Sequence, residues 1–123
     1  MSESEVARNC FNQLRWAIEQ IANPEYQVRV WMGDDPDEKS SYLDASAEIL
    51  DQDERFALIA SHLAEVGLTL QQWSDVTEFS RTLQKFEDSV PHPYDSAEVL
   101  RQPGWKSIVS HARAVLARLP KRD

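Results

Sequence analysis

Apolar residues recur at three-to-four-residue intervals along most of this chain. The first clear stripe lies near its start: Ala7, Cys10, Phe11, Leu14, Ala17, Ile18 and Ile21 share one helical face, and Arg8, Gln13, Arg15 and Glu19 take the other. Ser4 is placed to cap this helix, which the spacing carries to about Ala22. Trp16 falls off the stripe, positioned to pack at its edge or to face a partner.

The strongest local signals lie from Asp51 to Phe86, which reads as a central helical hairpin. Its first arm opens Asp51-Gln52-Asp53-Glu54, a cap followed three residues on by glutamate, and runs Phe56, Ile59, Ala60, Leu63, Val66 along one face. Gly67 supplies a left-handed stop. The second arm starts with Thr69 as cap and Gln72 three residues later, a capping box, with Leu68 and Trp73 at the positions of a hydrophobic staple. Trp73, Val76, Ser80, Leu83 and Phe86 then line a face, with Phe79 alongside.

Asn23-Pro24 reads as a fresh helix start, cap then first-turn proline. The stretch from Tyr26 to Met32 is two-sided. Tyr26, Val28, Val30 and Met32 alternate with polar residues as a strand would. No second strand candidate exists in the chain, however, and a lone strand leaves its backbone groups unpaired. A short helix or extended connector is expected; a strand there would have to pair with another chain. Gly33-Asp34-Asp35-Pro36 is a turn, and Asp35-Pro36-Asp37-Glu38 has the cap, proline and first-turn acids of a helix lined by Leu43, Ala47 and Leu50, with Tyr42 and Ile49 flanking. After a proline-bearing loop around His92, Asp95 and Glu98 open a short helix. The last helix, from Trp105 to Leu119, has a full apolar face, with Arg113, Arg118, Lys121 and Arg122 toward its C-terminal end, where the helix dipole favours cations. The expected fold is therefore all-α: one domain over residues 1–123, a bundle of five to six helices.

Composition adds little to this until charge is located. One cysteine, Cys10, excludes an intramolecular disulfide and lies on an apolar face, as an inert thiol would. The acidic start, without an unbroken apolar run, argues against a secretory signal or membrane span, and a cytoplasmic protein is expected. The formal net charge is −8, and it is local. From Asp34 to Glu54 stand nine acids (Asp34, Asp35, Asp37, Glu38, Asp44, Glu48, Asp51, Asp53, Glu54) and one base, Lys39; the rest of the chain is balanced. Helix capping accounts for Asp35, Asp37, Glu38, Asp51, Asp53 and Glu54. It does not account for Asp34, Asp44 and Glu48, nor for the scarcity of intervening bases. Such a face disfavours nucleic acid and anionic membrane as partners.

Specific chemistry finds no support. Counted from Asp34, an EF-hand loop would need glycine and glutamate where Lys39 and Ala45 stand. His62-x-x-Glu65 reverses the order used in di-iron bundles and has no second copy. His62, His92 and His111 are scattered, and none sits in a nucleophile or metalloprotease motif. The hairpin at Gly67 would suit helix-turn-helix DNA binding, but Asp75 and Glu78 put the wrong sign where bases are read. No catalytic residue, metal or cofactor is expected.

The reading is binding rather than turnover. Trp31, Asp34, Asp35, Asp37, Glu38, Tyr42, Asp44 and Glu48 are the expected partner-binding residues, the carboxylates steering a basic protein and the aromatics anchoring it. In size, acidity and helical build the chain resembles bacterial immunity proteins. That resemblance implies a protein that neutralises a toxin by covering its active site, often a basic nuclease cleft; it carries no residue roles. The alternative is a helical adaptor or regulatory subunit, homodimeric through the stretch from Tyr26 to Met32.

Overall fold

Helix α1 (Glu3–Ile21) is the element on which the others assemble. Its stripe is buried at Ala7, Phe11, Leu14, Ala17, Ile18 and Ile21. Against it lie α3 (Tyr42–Ala47), α4 (Asp53–Ser61), α5 (Leu63–Val66) and α8 (Trp105–Arg118). Helix α6 (Leu70–Asp88) packs chiefly on α8, and α7 (Ser96–Arg101) touches both α3 and α8. A short α2 (Pro24–Tyr26) leads into a π turn, Gln27–Trp31. This computed structural model describes residues 1–33 and 35–121, so Asp34 and Arg122 lie outside the described residues. With no strand among those residues, the protein is all-α. Among the described residues the short α2 and α5 raise the α-helix count to eight, above the five or six expected.

Local capping works largely as the sequence directs. Asn23 Oδ1 accepts the Tyr26 N–H at 3.1 Å. Thr69 and Gln72 form the full capping box, at 3.1 and 2.8 Å. Gly67 takes the left-handed conformation, φ 91°. At α1 the cap is Ser2 rather than Ser4, its hydroxyl accepting the Glu5 N–H at 3.2 Å. Both arms of the 51–86 hairpin form, but His62 (φ −132°, ψ 33°) divides the first into α4 and α5. Those pieces lie on α1, while α6 turns to α8; Phe56 and Trp73, edge to face at 5.2 Å, tie the arms together.

Two stretches depart from their sequence patterns. The alternation over 26–32 is helical, with the Met32 N–H reaching back five residues to the Gln27 carbonyl at 3.0 Å. The strand alternative, and with it pairing through a free strand edge, is thus set aside. Gln27, Val30 and Trp31 turn inward, and Val28 and Met32 remain exposed. The helix expected from Asp35 begins only at Tyr42, capped by Ser41, which accepts the Asp44 N–H at 3.2 Å. Asp35 does accept two following backbone N–H groups, yet the chain does not continue helically there. Tyr42 fixes the rotation of α3. Its ring meets Trp31 at 6.1 Å and Trp105 at 5.7 Å, both edge to face, and this turns Leu43 outward.

Two buried glutamines join these parts. Gln27 Nε2 donates to the carbonyls of Gln20 and Ile21, each at 2.9 Å. These are last-turn acceptors of α1, which have no partner within their own helix. Gln27 Oε1 accepts the Trp105 indole N–H at 3.1 Å. Gln20 Oε1 accepts the Trp31 indole N–H at 3.1 Å and the Ser40 hydroxyl at 3.0 Å. Replacing Gln27 by leucine keeps the volume, removes three hydrogen bonds and strands the buried Trp105 N–H. Gln27→Leu is expected to lose about 2–4 kcal/mol in urea denaturation, against about 1 kcal/mol for Thr69→Ala, which removes a cap at the surface. Equal midpoints for Gln27→Leu and wild type would show that the amide contributes nothing to stability.

Candidate functional site

The acidic segment starts as a tight loop between the π turn and α3, and Gly33 is what lets it start there. A Cβ at Gly33 would stand 2.5 Å from the Arg29 carbonyl oxygen and 2.9 Å from that of Val28. Both are backbone atoms, so the close approach leaves no room for a side chain. Beyond the turn, Asp35 gathers the loop around one carboxylate. Its Oδ1 accepts the N–H groups of Asp37 at 2.8 Å and Glu38 at 3.1 Å, and its Oδ2 pairs with Arg29 Nη1. Arg29 also lies 3.8 Å from Glu38 Oε2 and stands over the Tyr26 ring at 5.6 Å. The Tyr26 hydroxyl donates to Glu38 Oε1 at 3.3 Å. Of these residues Asp35 and Glu38 line an open recess of ≈ 530 Å³, with Val30, Pro36, Lys39 and Ser40.

This arrangement sets the charge states. The Asp37 N–H, and then the Arg29 guanidinium, hold the Asp35 carboxyl below its ordinary value, so it is anionic at neutral pH. Burial and the neighbouring Glu38 carboxylate push the Tyr26 phenol up. Burial, with Glu87 beside it, pushes up the Tyr42 phenol, which donates to Glu87 Oε1 at 3.0 Å.

The expected binding residues divide. Asp35 and Glu38 are brought together, with Arg29 between them. Asp37 is exposed on the same loop. Asp44 is exposed in the first turn of α3, where Oδ2 accepts the Ser41 hydroxyl at 3.1 Å. Glu48, at the C-cap of α3, is paired with Arg55 at 2.7 Å. Asp34 lies outside the described residues. Trp31 and Tyr42 are not surface anchors: they are 8% and 0% exposed. The Trp31 indole N–H is spent on Gln20, and the Tyr42 ring is enclosed between Trp31 and Trp105. The apolar side chain that α3 does present is Leu43, 40% exposed.

Sequence reasoning missed the counter-ions. Arg29 and Arg55 flank the acidic stretch and fold back onto it, so that against its eight excess negative charges they return two and leave six. An arginine at each border of an acidic run was the available signal. Among the described residues no three His, Cys, Asp or Glu side chains converge as a metal site, and no helix is long and apolar enough to cross a membrane.

The depressed Asp35 carboxyl has a pH consequence of definite sign. A group whose folded pKa is lowered adds stability above its unfolded value, and that stability is lost as pH falls through the folded value. Wild type is therefore expected to resist urea better than Asp35→Asn at about pH 7, and the gap to close below the ordinary 3.8. A gap of the same size at about pH 2.5 would assign the difference to something other than the charge.

Compared with protein families, curated proteins and solved structures, the chain gives no match.

Proposed function

We propose that this chain is a small acidic binding protein that docks a basic protein through its 34–54 segment, in the manner of an immunity or inhibitor protein covering the cleft of a nuclease toxin. The observation that carries the reading is the excess of six negative charges that remains after Arg29 and Arg55 are set against that segment. Clustered carboxylates raise the encounter rate with a cationic surface and repel acidic competitors. The loop is also held before any partner arrives, through Asp35, Arg29 and the Ser40–Gln20 bond. A preordered surface loses less conformational entropy on docking. With Trp31 and Tyr42 enclosed, Leu43 beside Asp44 supplies the apolar contact, and the 33–40 recess receives a partner's lysine or arginine.

The alternative reading, a helical adaptor that dimerises through 26–32, draws support from Val28 and Met32, which are 67% and 48% exposed. Sedimentation separates the two: the inhibitor reading expects a monomer by itself, the adaptor reading a stable dimer.

For the first reading, Asp37, Asp44 and Asp53 are the positions to reverse, since among the described residues none is paired with a cation. Immobilised wild-type chain, exposed to a lysate of its own cells, is expected to retain a basic protein at low salt and release it as salt rises. The isolated partner is expected to associate roughly tenfold more slowly with the Asp37→Lys/Asp44→Lys/Asp53→Lys chain, at unchanged fold by circular dichroism. Recovery of the same proteins by both chains at every salt concentration would sink the electrostatic reading.

A further inference from the structure

A second surface carries the opposite sign. Along the outer side of α1, where the chain end after α8 meets the end of α5, runs an open groove of ≈ 630 Å³. Arg8, Asn12, Arg15, Trp16, Val66 and Lys121 are among the residues lining it, and among the described residues no carboxylate lines it. Residues 8, 12, 15 and 16 follow the helical repeat, so this is one face of α1. Trp16 is 42% exposed, whereas Trp31, Trp73 and Trp105 are buried.

Backbone carbonyls hold the two arginines; Arg8 keeps its charge unpaired, while Arg15 is largely enclosed and has Glu19 as a counter-ion. Arg8 Nε and Nη2 donate to the Glu65 carbonyl at 3.3 and 3.1 Å, and Arg15 Nη1 to that of Pro120 at 2.6 Å. The Glu19 carboxylate stands 3.8 Å from Arg15 Nε, an enclosed donor with no hydrogen-bond acceptor. Arg8 and Lys121 have no carboxylate partner among the described residues. The groove thus brings Arg8, Arg15 and Lys121 together with an exposed indole, on a chain whose net charge is −8.

We propose that this groove binds an acidic peptide segment of a partner protein, in extended form, with one carboxylate on Arg8, a second on Arg15 beside Lys121, and an apolar side chain against Trp16. Spacing favours such an occupant. Seven residues of α-helix separate Arg8 from Arg15 by about 10 Å along the axis. In a polyproline-II segment, residues three apart lie on one side about 9 Å apart. The groove is open along its length, as an extended chain requires and an enclosed small ligand does not. Nucleic acid matches it less well, because a phosphate chain extends past three local cations into the field of a strongly acidic protein. Arginine and tryptophan side by side are also the residue types that dominate binding energy at interfaces.

The test uses the full chain on an array of blocked peptides of the form Glu-Xaa-Xaa-Glu beside the same set with glutamine for glutamate. The glutamate set is expected to retain the chain, best with an aromatic residue at Xaa. The tightest peptide, in solution, is expected to shift the Trp16 indole N–H signal in a saturable way and to leave the three buried indoles unmoved. Arg8→Gln/Lys121→Gln is expected to weaken binding roughly tenfold. Because Arg8 also caps α5, Arg8→Lys and Lys121→Gln are compared singly; Arg8→Lys keeps binding and Lys121→Gln loses part of it. Equal retention of the two peptide sets, or binding indifferent to Lys121→Gln, would overturn the proposal. So would a short oligothymidylate that displaces every peptide from wild type, which would reassign the groove to nucleic acid.

Discussion

The structure depends on one side-chain amide placed where no water reaches it. Gln27 holds the end of α1 and the indole of α8 together, using both of its donors and its acceptor on buried groups. Unpaired buried polar groups are costly, so these bonds admit very few other arrangements of the helices. Within the π turn, Gln27 and Trp31 both face inward. Trp31 then engages Gln20, and Gln20 takes the Ser40 hydroxyl from the acidic loop. The interior thereby fixes the position of a loop whose side chains face water.

The features legible in the sequence were those decided within a few residues. Asn23 with Pro24, Thr69 with Gln72, and Gly67 act where they stand because each cap concerns only its own turn. The start of α3 was not decided locally. Asp35 and Ser41 are both competent caps, and the choice between them rests on Arg29 holding the first and the ring of Tyr42 seating behind the second. Trp31 and Tyr42 looked like anchors because they are aromatic and stand beside acids; their burial is set by Trp105, far away in sequence. Gln20 and Gln27 carried a faint signal, a polar residue next to Ile21 on the buried side of α1 and another seven residues on. Their meaning appears only once Trp105 of α8 brings its indole to Gln27 and Trp31 brings its own to Gln20.

Charge is sorted in space as well as along the chain. The acids of 35–54 are partly answered by their own flanking arginines, and Arg8 and Arg15 of the α1 groove are braced by carbonyl oxygens, Arg15 with Glu19 beside it as well. Bracing of the second kind orders a guanidinium without cancelling it. A scaffold built this way has two faces of opposite potential, each set by short-range contacts and each felt only over about a Debye length in physiological salt.

The distribution of the indoles has an optical consequence. With three of the four enclosed, a quencher dissolved in water meets Trp16 first. Iodide, an anion, is drawn toward the neighbouring guanidinium and ammonium groups, while caesium is driven off. The contrast between the two quenchers therefore measures the local potential of the groove directly, in the unmodified chain and with no added label.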